Sequence, residues 1–98
     1  MGIPVHRDTD LRVCGATTVV SNQSNVYANG LLIAVNGDPD SHGAGGLIAT
    51  AKNVYINGLL VVLLGDNANP DSFCPLIGPP HCNPYTTSAS PNVYSGRG

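Results

Sequence analysis

The chain has three Cys and three His in 98 residues. Three of these six share one spacing. Cys14 stands eleven residues before Asn25, His42 eleven before Asn53, and His81 eleven before Asn92. Each of those asparagines opens the same tripeptide, Asn-Val-Tyr. Thiolate and imidazole are borderline-soft donors that suit zinc, and iron accepts a similar set. A lone Cys is usually a small buried hydrophobe, and a lone His usually a surface or hydrogen-bonded residue. The shared spacing places metal ligation ahead of those plainer roles.

The spacing comes from an internal repeat. The stretch "NVYANGLLIAVNGD" (Asn25 to Asp38) returns as "NVYINGLLVVLLGD" (Asn53 to Asp66). Asp10 lies four residues before Cys14, and Asp38 four before His42. Asp66 lies fifteen before His81, so about eleven residues are inserted, within roughly Asn67 to Ile77. The units are roughly 8–38, 38–66 and 66–98 of a single domain, 1–98. Equivalent positions around a pseudo-threefold axis can aim three side chains at one point. The insertion carries Cys74, which is expected to supply a fourth ligand beside Cys14, His42 and His81. A closed four-ligand site is structural and leaves no open position for catalysis. It would also staple a chain whose core is limited by its length. Cys82 competes with Cys74 for the fourth place. Neighbours on an extended strand point to opposite faces, so His81 and Cys82 are not expected to ligate together. A Cys74–Cys82 disulfide ranks below ligation in a cytosolic chain. His6 has no counterpart in the other units and reads as a tail residue.

The elements that carry these residues read as strands and turns. Gly 12 and Pro 8 are high for the length, and Val, Ile and Leu outnumber strong helix formers. Asn29-Gly30 and Asn57-Gly58 are hairpin-turn signals between β-prone runs. "LLVVLL" (Leu59 to Leu64) has no polar alternation, so it is expected to be buried on both sides or covered by a partner. The prediction is an all-β fold of short strands. That run is also too short to cross a bilayer. A net charge of -2 with 10% charged residues argues against nucleic-acid binding and an electrostatic membrane anchor. The N-terminus lacks a signal-peptide pattern, so the chain is expected to be made and kept soluble in the cytosol.

Other motifs carry less. "HGAGG" (His42 to Gly46) lacks the Lys and Ser/Thr of a phosphate loop. Asp8, Asp10, Asp38 and Asp40 do not form an EF-hand pattern and read as turn residues. Tyr27, Tyr55 and Tyr94 are equivalent by the repeat and read as packing residues. No Ser-His-Asp or paired-carboxylate arrangement stands out.

Taken together, "GDPDSHGAGG" (Gly37 to Gly46), "NVYINGLLVVLLGD" and "FCPLIGPPHC" resemble PAAR-repeat proteins, over roughly Asp8 to Gly96. The resemblance implies a small cone of strands with a threefold pseudo-symmetric base and a metal, usually zinc, near the point. It implies a tip that caps a trimeric β-helical spike, one chain per trimer, in a contractile phage tail or a type VI secretion system. That tip would meet the target cell envelope transiently. The motif that names the family is replaced here by "LLIA" (Leu31 to Ala34) and "LLVV" (Leu59 to Val62), which favours a phage tail. The expected role is therefore structural, a monomer without enzymatic activity at the tip of the virion's baseplate spike. The alternatives are an adaptor that docks a separate effector, and last a small zinc hydrolase.

Overall fold

A computed structural model of the chain describes residues 2–51, 54–79 and 81–95; Asn53, which opens the second tripeptide, lies outside them. The protein is all-β. Its strands are short: β1 (Ile3–Pro4), β2 (Tyr27–Ala28), β3 (Leu31–Leu32), β4 (Tyr55–Ile56), β5 (Leu59–Leu60) and β6 (Tyr94–Ser95). The one described helix, α1 (Cys74–Ile77), is a single turn. No described helix is long and apolar enough to cross a membrane.

The two predicted hairpins form in the same register. Tyr27 pairs with Leu32 across β2 and β3, and Tyr55 with Leu60 across β4 and β5. Their turns have φ of 56° and 79° at Asn29 and Gly30, and 57° and 79° at Asn57 and Gly58. Two successive positive φ values make a type I′ turn, whose twist matches that of the flanking strands. Asn tolerates this region and Gly adopts it freely, which is why the sequence repeats Asn-Gly here. β1 pairs with β6, placing Pro4 opposite Tyr94, so the chain's two ends close a third pair.

Behind these pairs the backbone closes on itself. His6 donates its N–H to the Val62 carbonyl (2.9 Å), Val62 to Ala34 (2.9 Å), and Ala34 to His6 (2.9 Å). A second ring runs from Asp8 to Leu32, Asn36 to Leu60 and Leu64 to Pro4, at 2.7, 2.8 and 2.9 Å. Successive donors in each ring stand 28 residues apart in the sequence. Each segment then turns at an aspartate. The Oδ2 atoms of Asp10, Asp38 and Asp66 accept from the N–H of Arg7, Val35 and Leu63, at 2.9, 2.8 and 2.8 Å. These carboxylates close turns, as the sequence suggested for Asp10 and Asp38.

The run Leu59 to Leu64 is buried on both sides at its centre. Val61 and Leu63 pack with Val5, Ile33 and Val35 in one cluster, while Val62 packs with Ala34, Leu47 and Ala68 in another. Alternate residues of one extended segment thus enter two cores, which explains why polar alternation is missing.

His6 is not a tail residue. It is fully buried at the ring position that Ala34 and Val62 occupy in the other two segments. Its Nε2 lies 2.6 Å from Thr18 Oγ1, and its Nδ1 2.8 Å from the Ser88 carbonyl. Thr18 Oγ1 also accepts from Arg12 Nε at 2.9 Å. The hydroxyl hydrogen is then free for Nε2, and Nδ1–H donates to Ser88, so the ring is neutral. Burial chiefly, with Arg12 and Arg7 adding, lowers its pKa from 6.5 to about 4, against the pull of Ser88 and Asp10. The unfolded chain therefore takes up a proton on this group below about pH 6.5, and the folded chain only near 4. Stability from His6 is complete above this window and falls as pH drops through it, by roughly 3 kcal/mol in all. Urea unfolding at steps from pH 7 to pH 4 should show this loss. His6→Gln can donate to Ser88 and accept from Thr18 without titrating, so the loss should shrink by most of that amount.

Candidate metal centre

Cys14 and His42 sit at matching points of two matching turns. Arg12 N–H donates to the Ala16 carbonyl (2.8 Å), and Gly15 to Arg12 (2.9 Å). Asp40 donates to Ala44 (3.0 Å), and Gly43 to Asp40 (3.1 Å). The third such turn is stretched: Asp71 donates to His81 (2.9 Å), with Cys74 donating to Asp71 (3.1 Å). Ten residues separate this pair where four separate the others, so six of the extra residues lie between Asp71 and His81. His81 closes this enlarged loop and returns to the cluster.

The structure brings Cys14, His42 and His81 together. It does not bring Cys74 with them. Cys74 is bonded to Cys82, with Cα atoms 4.6 Å apart. The chain reverses between them through α1 and Gly78, whose φ is 86°. That reversal brings the two Cα atoms within disulfide reach. The fourth donor in the cluster is Asp71, from the same insertion. Cys14, His42, Asp71 and His81 each offer one ligand atom, all within 4.8 Å of one another, and together form a group able to hold a metal ion.

Four of the donor–donor distances are close to the edges of a coordination tetrahedron. Asp71 Oδ2 lies 3.3 Å from His42 Nδ1, 3.3 Å from His81 Nδ1 and 3.5 Å from Cys14 Sγ. Cys14 Sγ lies 3.8 Å from His42 Nδ1. Around a tetrahedral zinc-sized ion, ordinary bond lengths put nitrogen–oxygen edges near ~3.3 Å and edges to sulfur near ~3.6 Å. A nucleophilic relay needs a different arrangement, with Cys and carboxylate on opposite nitrogens of the imidazole. Here both approach the same atom, His42 Nδ1. The donors converge on a point.

The surroundings hold these donors still. Phe73 stacks on the His42 ring at 4.5 Å and meets His81 edge-on at 5.4 Å. Asp71 Oδ1 accepts from the Phe73 N–H (2.9 Å), leaving Oδ2 for the cluster. Burial opposes ionisation of Asp71. The Phe73 N–H, His81, Asp40 and His42 outweigh it, and its pKa falls to about 2. The Cys14 thiol is pushed up, first by burial and then by the carboxylates of Asp71 and Asp40. A bound cation would reverse that and draw out the thiolate.

A buried ion pair lies behind the cluster. Arg12 Nη1 is 3.7 Å from Asp40 Oδ2, and both side chains are inaccessible to solvent. Arg12 donates to the Gly45 carbonyl through Nη1 and to the Asp38 carbonyl through Nη2 (3.0 Å). Asp40 Oδ1 in turn accepts from the His42 N–H (3.0 Å). Arg12 thus ties the turn of Cys14 to the turn of His42. Burial raises the Asp40 pKa to about 6 despite Arg12, with Asp71 adding to the rise. Gly45 stands where a Cβ would come within 2.8 Å of Asp40 Oδ2 and 3.1 Å of Asp71 Cβ, so this glycine of "HGAGG" allows close packing against the Asp71 donor.

Sequence reasoning missed Asp71, yet a signal was present. Pro39-Asp40-Ser41-His42 and Pro70-Asp71-Ser72-Phe73 share three residues. In each, the Asp Oδ1 accepts from the N–H two residues later. The chain matches no protein-family model and no curated protein.

Proposed function

We propose that this protein is the metal-stapled tip of a contractile injection machine, as the resemblance to PAAR-repeat proteins implies. It caps a trimeric β-helical spike and acts mechanically, without an enzymatic reaction. The two rings of three backbone hydrogen bonds, each repeating at 28 residues, carry this reading. A monomer with three like segments can sit on a threefold partner without breaking the match. The tip is a cone whose pseudo-threefold base is the strand-pair face and whose point is the metal centre. Each strand pair contributes one tyrosine to the surface: Tyr27, Tyr55 and Tyr94 are exposed to 58%, 59% and 56%. Near-equal exposure of equivalent aromatic residues favours contact with a partner over the internal packing the sequence suggested. Val26, Val54, Ile56 and Val93 line an apolar hollow of about 560 Å³ beside Tyr55 and Tyr94. None of the four donors of the cluster lines it. The ion is zinc, with iron second, since one thiolate, two imidazoles and a carboxylate form a closed mixed set. A phage tail is favoured over type VI secretion by the replaced family motif.

The test is a binding measurement with a purified trimeric spike. One chain should bind per trimer, seen as the mass of the complex by light scattering. Tyr55→Asp/Tyr94→Asp should weaken binding at least tenfold while the metal content stays unchanged. No complex, or a complex untouched by the tyrosine changes, would overturn the docking surface.

A further inference from the structure

We propose that the metal centre has two donor sets, and that the Cys74–Cys82 disulfide selects between them. This deepens the metal-centre reading and rests on it. In the oxidised chain the ion is held by Cys14, His42, Asp71 and His81. When a low-molecular-weight thiol reduces the disulfide, the Cys74 thiolate displaces the Asp71 carboxylate.

The disulfide is placed to do this. It joins the residue after His81 to the residue three beyond Asp71. Both ends of the bond therefore lie next to donors. Asp71 and Cys74 are the two ends of one turn, closed by the Cys74 N–H on the Asp71 carbonyl at 3.1 Å. The ends of such a turn lie close together, so the Cys74 backbone stays near that of Asp71. Phe73, between them, lies against both imidazoles, so the segment carrying Cys74 already covers the donors. Cys82 directly follows His81, whereas Cys74 directly follows Phe73, which lies against both imidazoles; this favours Cys74. The exchange is one anion for another, and zinc takes thiolate at least as readily as carboxylate. Locked in the disulfide, Cys74 has no thiolate to offer, and the carboxylate holds the place.

The step balances. Two small thiols become their disulfide as the Cys74–Cys82 bond breaks and both cysteines gain a proton. The Cys74 thiol releases its proton to solvent as its sulfur bonds the ion. The Asp71–metal bond breaks, and the ion keeps its oxidation state. A chain in reducing cytosol would carry the two-thiolate set; a small-molecule disulfide, running the same exchange in reverse and leaving as two thiols, would restore the carboxylate set.

Cobalt(II) reports the number of thiolates through its sulfur charge-transfer absorption. The metal-stripped full chain is loaded anaerobically with cobalt, before and after phosphine reduction and removal of the phosphine. The oxidised chain should show the intensity of one thiolate, and the reduced chain about twice that intensity. Cys82→Ser should show the doubled intensity without reduction, and Cys74→Ser the single intensity in both states. Asp71→Asn should weaken cobalt binding at least tenfold when oxidised and hardly at all when reduced. Equal intensity in both states with cobalt bound would overturn the exchange alone. Doubling in Cys74→Ser would overturn the choice of Cys74. Failure to bind cobalt in either state would overturn the metal centre itself.

Discussion

His42→Ala should reduce zinc binding to below one ion per chain and lower the melting temperature by roughly 15–30 °C relative to the zinc-loaded protein. The reasoning starts from convergence. His42 Nδ1 sits 3.3 Å from Asp71 Oδ2 and 3.8 Å from Cys14 Sγ, so its loss removes a shared vertex. Three remaining donors bind zinc more weakly and admit water. A ligand that binds only the folded chain stabilises it by about 4 kcal/mol at a thousand times its dissociation constant. For a domain of this length each kcal/mol moves the midpoint by about 4–8 °C. The donors come from three separate turns, so a bound ion would cross-link parts of the chain that the short strands alone join weakly. Elemental analysis gives the metal content, and scanning calorimetry with and without a chelator gives the shift. A chelator that leaves the wild-type midpoint where it was would remove the staple from the account.

Arg12→Met should destabilise the fold by about 3–5 kcal/mol, the cost of leaving one partner of a buried ion pair behind. Methionine fills much of the volume but offers no donor. The Gly45 and Asp38 carbonyls lose Arg12, and Asp40 keeps a buried carboxylate without its cation. Thr18 also loses its donor, which unsettles the hydroxyl that serves His6. Arg12→Met/Asp40→Asn should recover part of the loss. Asparagine can still accept from the His42 N–H through its carbonyl oxygen, and it brings no charge into the interior. Denaturant unfolding of the two variants measures both effects. A single variant within about 1 kcal/mol of wild type would mean that the pair is not held as described. Because Arg12 bridges the turns of Cys14 and His42, the same variant should bind zinc less tightly at a temperature where it is still folded.

The sequence by itself determined the local chemistry. Asn29-Gly30 and Asn57-Gly58 dictate their turns because few residues accept two consecutive positive φ values. The unbroken apolar run at Leu59 announced a segment between two cores. The eleven-residue spacing marked Cys14, His42 and His81, which lie in one cluster: matching turns deliver the first two, and the enlarged third loop returns His81 to them. Tertiary structure alone decided the rest. Asp71 and Cys74 both lie between Asp66 and His81, and only the path of the loop shows which one reaches the cluster. That path bends Cys74 back to Cys82 and leaves the Asp71 carboxylate facing the imidazoles. His6 looked like a tail residue because its partners, Thr18 and Ser88, are 12 and 82 residues away. Arg12 belongs to no motif of the sequence, and only in the fold do three chain segments close around it. Burying a polar side chain is tolerated only where partners are supplied, and those partners come from distant parts of the chain. Spacing along a chain encodes turns; it does not encode which distant groups will meet a buried side chain.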